Sequence, residues 1–245
     1  VLQFPYDGHT MNLLDTPGYA DFTGDLRAGL RAADAALFTV PATNGVDGLT
    51  RMLWEECASV GMPRAVVITK LDHQRADFDE ALQACQDAFG DSVAPLYLPV
   101  TSGPGAVTGL IGLLSGRFYD YTSGTRTERE PDPDQAGRVG EMRSSLIEGV
   151  IQESEDETLM DRYLSGENID SKVLIEDLEK AVARGSFYPV LTTSAHQGIG
   201  LTELLEIMTQ AFPAPGEHSL PGVTTLDGKP VTGLSCDPDG RLLAE

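Results

Sequence analysis

Cations are scarce in this chain. Seventeen Lys and Arg stand against 38 Asp and Glu among 245 residues, a formal net charge of -21. A surface this acidic repels phosphate backbones at long range. That argues against direct nucleic-acid contact by these residues; another part of the protein would have to supply it. The same charge can equally do no more than keep a domain soluble. Cysteine is scarce too. Cys57, Cys85 and Cys236 are widely spaced and form no CxxC pair, so neither a zinc site nor a disulfide framework is predicted, and a reducing cytoplasm is the expected compartment. No apolar run approaches the ~20 residues of a membrane-spanning helix, so no membrane association is expected. Val1-Leu2-Gln3-Phe4-Pro5 holds no Met and no basic stretch. No signal peptide is read there, and the chain is expected to begin inside a longer protein.

What remains is an ordinary globular mixture, 41% hydrophobic and 22% charged, enough to build a core. Five short apolar runs read as buried parallel-type strands: residues 10–14, 35–40, 64–69, 95–100 and 188–193. Helical faces follow them. Phe22, Leu26, Leu30 and Ala33 recur at spacings of three and four, as do Met52, Leu53, Cys57 and Ala58 before Gly61. Phe78, Leu82, Cys85 and Phe89 end at Gly90, and Leu201, Leu204, Leu205, Met208 and Phe212 end at Pro213. This alternation predicts an α/β fold, a mostly parallel sheet with helices on both faces. The rhythm breaks between the fourth and fifth strands. Residues 101–116 are Gly-rich and turn-like, and 122–140 read as an exposed polar loop. A helix then begins at Met142, Leu146 and Ile147 and continues through Leu159, Tyr163 and Leu164; another spans about 172–184. The stretch is too long and too regular for a loop, so 101–186 is predicted to be an inserted subdomain. Pro213-Ala214-Pro215-Gly216 marks a boundary, and 222–245 look like a connector with strand beginnings.

Three motifs follow strands. Asp15-Thr16-Pro17-Gly18 comes after Leu14. A carboxylate at a strand end in an α/β sheet lies where ligands bind; it can hold Mg²⁺ through water while the Gly18 N–H approaches a terminal phosphate. The tetrapeptide is also an ordinary turn composition. Thr69-Lys70-Leu71-Asp72 fits the N/T-K-x-D pattern of GTPases. Its Asp carboxylate accepts from the guanine N1–H and exocyclic amine, and adenine would leave that acceptor unpaired. A solvent-facing Lys and Asp in a strand-to-helix loop would look the same. Thr193-Ser194-Ala195 is weak alone; in GTPases a Ser-Ala pair here offers a backbone N–H to the guanine carbonyl. The order and placement of the three make the joint case.

Asp15-Thr16-Pro17-Gly18-Tyr19-Ala20-Asp21-Phe22 resembles the DTPGHVDF segment of translational GTPases. Leu146-Ile147-Glu148-Gly149-Val150, Met160-Asp161-Arg162-Tyr163-Leu164, Phe187-Tyr188-Pro189-Val190 and Ser194-Ala195 resemble the G-prime insert and last strand of bacterial elongation factor G. The likeness is greatest to the elongation factor G-like paralogues of actinobacteria and covers nearly the whole chain. It implies a P-loop NTPase-type G domain over 1–100 and 187–213 and a helical or mixed G-prime insert over 101–186. It further implies a linker at 214–245 leading into a β-barrel domain near Val231. It implies GTP or GDP with Mg²⁺, Asp15 holding the metal, Thr16, Pro17 and Gly18 at the γ-phosphate, and Thr69, Lys70, Asp72, Ser194 and Ala195 holding guanine. The partners it implies are the ribosome and, through the insert, the ribosomal stalk protein. The run Glu153-Ser154-Glu155-Asp156-Glu157 is then either a solvated helix face or a docking patch for that protein.

Two departures matter. No GxxxxGK(S/T) loop occurs in these residues; the resemblance implies that it and the first switch segment precede Val1. Tyr19 stands where the family has the His that positions the attacking water. That substitution leaves open a nucleotide-gated binding module that hydrolyses GTP poorly, and a related release or ribosome-protection GTPase is a further alternative. His9, His73, His196 and His218 fall in expected loops without ligand spacing. Because P-loop N–H groups and Lys supply most phosphate contacts in such proteins, these 245 residues alone are expected to bind GDP weakly. Calorimetry with GDP and Mg²⁺ checks this; micromolar or tighter binding would refute it.

Overall fold

The computed structural model describes residues 1–167, 169–217 and 222–232. The chain divides into two compact units, Val1–Phe212 and Pro213–Glu245. In the first, strands β3 (Ala36–Pro41), β4 (Arg64–Thr69), β10 (Tyr188–Thr192) and β5 (Val93–Pro95) form a sheet in the order β3-β4-β10-β5, every pair parallel. The central strand β4 is buried over its first five residues, as expected for a strand covered on both faces.

Helices α1 (Thr23–Ala32), α2 (Gly48–Ser59), α3 (Phe78–Phe89) and α7 (Leu201–Gln210) flank the strands. Local chemistry starts and stops them. Asp47 and Asp77 accept from the N–H groups of Thr50 and Glu80, satisfying first-turn donors of α2 and α3. Gly61, just past α2, has φ 66° and Gly90 closes α3 with φ 101°. Phe78, Leu82 and Cys85 are buried as their spacing predicts. In α2 the buried residues are Trp54 and Cys57, while Met52 is 40% exposed; the apolar face expected through Met52 is rotated toward the single tryptophan. In α1 no residue is buried; the helix is tied to α2 by Arg27, which donates to both Glu56 carboxylate oxygens at 2.6 and 3.1 Å.

The sheet's N-terminal end is an aromatic cluster. Trp54 stacks on Phe89 at 4.1 Å and meets Phe38 and Tyr188 edge-on at 5.0 and 4.8 Å. The buried Arg64 guanidinium lies 4.5 Å from the Trp54 ring and 4.6 Å from that of Tyr188, donating to the Trp54 carbonyl and the Tyr188 hydroxyl. A buried cation is tolerated because ring faces and neutral acceptors replace its water.

Three expected elements differ. The strand expected at 10–14 is not in the parallel sheet. Asp7 and Gly8, at φ 44° and 76°, make the two-residue turn of an antiparallel hairpin between β1 (Leu2–Tyr6) and β2 (His9–Leu13). Asp-Gly supplies the paired positive φ values such turns need. His9 is accordingly a strand residue. The strand expected at 95–100 is two. β5 ends at Pro95, and β6 (Tyr97–Thr101) belongs to a second, antiparallel sheet with β7 (Val107–Gly112), β8 (Phe118–Asp120) and β9 (Thr127–Arg129). Leu96 joins the two sheets: its N–H bonds the Val190 carbonyl and its carbonyl accepts from Leu113, each at 2.9 Å. Residues 101–116 and 122–140 are therefore strands and a helix start as well as turns. Gly109 and Gly112 lie within β7, where they interrupt the apolar run of Val107, Leu110 and Ile111.

The helix expected from Met142 to Leu164 is interrupted. α4 (Ala136–Gln152) and α5 (Thr158–Leu164) are separated at the acidic run. Asp156 accepts from the Thr158 N–H and hydroxyl, and Ser154 Oγ from the Asp156 N–H; such local bonds compete with continued helix. The run is thus a connector and not a helix face. Arg184, at the end of α6 (Ser171–Arg184), donates to the Glu155 carboxylate at 3.2 Å and to the Glu153 carbonyl. Among the described residues no helix is long and apolar enough to cross a membrane. In the second unit, Thr224 and Pro230 form an antiparallel bridge around Gly228; His218, Cys236 and 233–245 lie outside the described residues.

Trp54 is 5% exposed and anchors one end of the core. Trp54→Ala is expected to cost about 3–5 kcal/mol through lost burial and a cavity. Met52→Ala, on the exposed side of the same helix, should cost less than ~1 kcal/mol. Urea unfolding of both variants checks the contrast.

Candidate nucleotide-binding loops

Strands β4 and β10 are direct neighbours, so the loops leaving their C-terminal ends are neighbours too. The Thr193 N–H bonds the Ile68 carbonyl at 2.8 Å and the Ala42 N–H bonds the Thr69 carbonyl at 2.9 Å, extending the ladder past the strand ends; the Asp77 N–H bonds the Ala42 carbonyl at 3.0 Å. The structure therefore brings Thr69, Lys70, Asp72, Ser194 and Ala195 to one edge of the sheet. Lys70 has φ 60°. A left-handed Lys is uncommon and is held only where its surroundings determine it, and such outliers cluster at functional sites. Here Leu71 is 4% exposed and pins the loop, while the His73 N–H closes a turn on the Lys70 carbonyl at 3.1 Å. Lys70 is left exposed and Asp72 half-buried.

The second loop is as tightly made. Ser194 and Ile199 exchange backbone hydrogen bonds at 3.0 and 3.1 Å, and Ala195–Gln197 form one 3₁₀ turn between them. Ala195 opens that turn on the exposed side, where first-turn N–H groups have no partner within the turn. Ser194 is fully buried, and its hydroxyl has no hydrogen-bond partner among the described residues. A buried hydroxyl left unpaired costs free energy, so the fold holds Ser194 in place at that cost. Gly200, at φ 80°, starts α7 so close to the Thr192 carbonyl that a Cβ would overlap it.

A polar cluster that periodicity did not reveal holds α7. Glu203 is 1% exposed; the Tyr121 hydroxyl donates to it at 2.6 Å, and Arg126 lies 3.3 Å away. Arg126 also pairs with Glu206 at 2.5 Å and lies 4.2 Å from the Tyr119 ring. Burial and the bond to Glu203 push the Tyr121 hydroxyl well above the usual phenol range. For Arg126 burial alone would favour the neutral form, but Glu206 and Glu203 more than compensate and keep it charged. The expected apolar face through Leu201 is corrected accordingly: Leu201 is 39% exposed, and the buried residues of α7 are Glu203 and Ile207. Only the ion-pair partners, far away in sequence, would have marked Glu203 as internal.

Asp15, Thr16, Pro17, Gly18 and Tyr19 lie elsewhere. They follow β2, whose hairpin pairs with no strand of the parallel sheet, so the expectation that Asp15 ends a strand of that sheet is corrected. The segment lies against α1 at a depression of about 300 Å³ lined by Leu14, Asp15, Thr16, Pro17, Asp25 and Gly29. Asp15 and Gly18 are exposed, and Tyr19 is 78% exposed with its carbonyl accepting from the Phe22 N–H. Among the described residues no cluster of three or more His, Cys, Asp or Glu side chains could hold a metal. Burial pushes the Cys57 and Cys85 thiols up to about 11 and about 12, so neither is a thiolate near neutral pH.

The chain is similar to known proteins. Residues 1–214 match the family model of the elongation factor Tu GTP binding domain. Elongation factor G-like proteins of two strains of Mycobacterium tuberculosis are 60% identical over all 245 residues, which span 34% of the length of those relatives. A crystal structure of a Thermus thermophilus protein superposes with a TM-score of 0.79 at 38% identity, over 88% of this chain and 32% of that one. With the strand-end loops in the positions described, the chain belongs to the family of elongation factor Tu-type GTP-binding domains.

Proposed function

We propose that these residues form the guanine-binding part of an elongation factor G-like translational GTPase, a cytoplasmic protein that acts on the ribosome. The observation that carries the reading is the pairing of two loops at neighbouring strand ends, one with left-handed Lys70 before Asp72, the other with the buried, unpartnered Ser194 hydroxyl. In this reading Asp72 accepts from the guanine N1–H and amine, and the Lys70 stem lies along the base. The Ala195 N–H meets the guanine carbonyl, and Thr69 and Ser194 complete the set of residues that hold guanine. Residues 1–100 and 187–213 are the G domain, 101–186 its G-prime insert, and 214–245 the link to a following β-barrel. The acidic connector between α4 and α5 is a candidate contact for the ribosomal stalk protein.

Asp15 fits Mg²⁺ as a lone exposed carboxylate that shares the ion with nucleotide phosphates and water, the usual mode for this cation; the ion would neutralise phosphate charge. Thr16 and Pro17 set the turn that presents Gly18 to the γ-phosphate. A Cβ at Gly18 would meet nothing within 4 Å, so protein packing does not require glycine there, whereas a phosphate approaching the backbone would.

A second reading rests on Tyr19. It stands 78% exposed where the family has His. A phenol can donate or accept one hydrogen bond but brings no positive charge to phosphoryl oxygens. On this reading the protein binds GTP normally, hydrolyses it slowly and acts by occupancy.

Two experiments on the complete natural protein separate these readings. Asp72→Asn replaces an acceptor with a group that can donate. It should weaken GTP by about a hundredfold and favour the xanthine nucleotide, whose C2 carbonyl accepts that bond. Competition binding decides it, and an unchanged GTP preference removes Asp72 from the site. Tyr19→His should raise single-turnover hydrolysis on ribosomes about 10²-fold, with nucleotide affinity held, if the slow-hydrolysis reading is right. Strong ribosome-stimulated turnover by the natural protein would sink that reading and leave the efficient GTPase.

A further inference from the structure

The loop carrying Asp72 is touched from outside its own sheet. The turn between β6 and β7, residues 102–106, reaches across from the antiparallel sheet and lays its backbone on that loop. The turn is closed by hydrogen bonds from the Ser102 N–H to the Ala106 carbonyl at 2.9 Å and from the Ala106 N–H to the Gly103 carbonyl at 3.0 Å. At its tip Gly105 has φ 69°, and a Cβ there would stand 2.6 Å from the Asp72 carbonyl oxygen and 3.2 Å from both the Gln74 nitrogen and the His73 carbonyl carbon. These are backbone atoms, so no rotamer change could make room. Gly103, in the same turn, differs: a Cβ there meets nothing within 4 Å.

Neither side of this contact can yield freely. Residues 69–73 are pinned by the buried Leu71, by the Ala42 bond to the Thr69 carbonyl and by the His73 turn. The 102–106 turn is anchored through β6 and β7 to the core that contains Leu98, Val107 and Leu110. We infer that Gly105 is a positioning residue for guanine recognition: the turn it permits buttresses the Asp72 backbone, so that the insert's first hairpin sets the placement of the base-reading carboxylate. The inference rests on the guanine reading of Asp72. Hydrogen bonds weaken steeply with misalignment. A Cβ at position 105 has to displace either the turn or Asp72 by several tenths of an ångström, which is enough to spoil a pair of bonds to one base edge.

The test uses the complete natural protein and two nucleotides, GDP and IDP. Inosine lacks the exocyclic amine, so IDP can make only one of the two bonds to Asp72. The natural protein should prefer GDP about tenfold, the worth of one such bond. Gly105→Ala should weaken GDP by about tenfold or more and bring the GDP-to-IDP ratio toward one, with the thermal midpoint showing that the chain is folded. A change that merely loosened the fold would weaken both nucleotides alike and preserve the ratio. Gly105→Asn separates the causes, because Asn tolerates positive φ better than Ala yet carries the same Cβ. Loss of the ratio in both variants, with Gly103→Ala unchanged, supports the contact. Natural selectivity in Gly105→Ala, rescue by Asn, or equal loss in Gly103→Ala overturns it. A natural protein with no preference for GDP over IDP overturns the guanine reading itself, and this inference with it; natural selectivity that Gly105→Ala retains overturns the inference alone.

Discussion

The structure depends on a backbone ladder that outlasts its strands. The bonds from the Thr193 N–H to the Ile68 carbonyl and from the Ala42 N–H to the Thr69 carbonyl carry parallel pairing with β4 past the ends of β3 and β10. Parallel strands place all their C-terminal ends on one side, and the loops that leave there must lie together. Two short motifs, separated by more than a hundred residues, become one edge for that reason. The loops can then adopt conformations that would be costly in isolation, a left-handed Lys70 and an unpaired Ser194 hydroxyl, because the ladder and the buried Leu71 hold them there.

The antiparallel sheet is structurally part of this edge. Leu96 bonds both sheets, and the antiparallel sheet reaches the loops at two places. Its β6–β7 turn rests on Asp72, while Tyr121 and Arg126 grip Glu203 on α7, four residues after Ile199 closes the Ser194 loop. One contact is a close backbone approach and the other a buried polar network. Both have well-defined geometry and little slack, since a buried carboxylate without its partners is strongly unfavourable. The opposite end of the parallel sheet is held differently, by ring stacking around Trp54 and the sandwiched Arg64 guanidinium.

The Asp15 segment has no comparable support. Its hairpin residues are exposed or half-buried, α1 has no buried residue, and an exposed Arg27–Glu56 pair links that helix to α2. The DTPG motif is legible as a motif, but the strand before it belongs to the two-stranded hairpin and not to the parallel sheet. An amphipathic five-residue run looks the same whether its partner is parallel and distant or antiparallel and adjacent. Only the Asp7-Gly8 turn distinguishes the two.

The sequence alone determined the helices whose apolar residues recur with the helical period, α3 and α6 most clearly. It determined the parallel strands dense in Val, Ile and Leu, and the identity and order of the strand-end motifs. These are local properties, set by side-chain spacing, capping residues and turn chemistry. Tertiary structure decided the rest: that the run at 95–100 is cut at Pro95 and shared by two sheets, that the glycine-rich stretch after it contains a strand, that Trp54 and not Met52 faces the core, and that Glu203 is buried. Three of these depend on a partner far along the chain: Val190 for Leu96, Phe89 and Tyr188 for Trp54, Tyr121 and Arg126 for Glu203. No local pattern encodes such a partner, because burial and pairing are fixed only when distant segments meet.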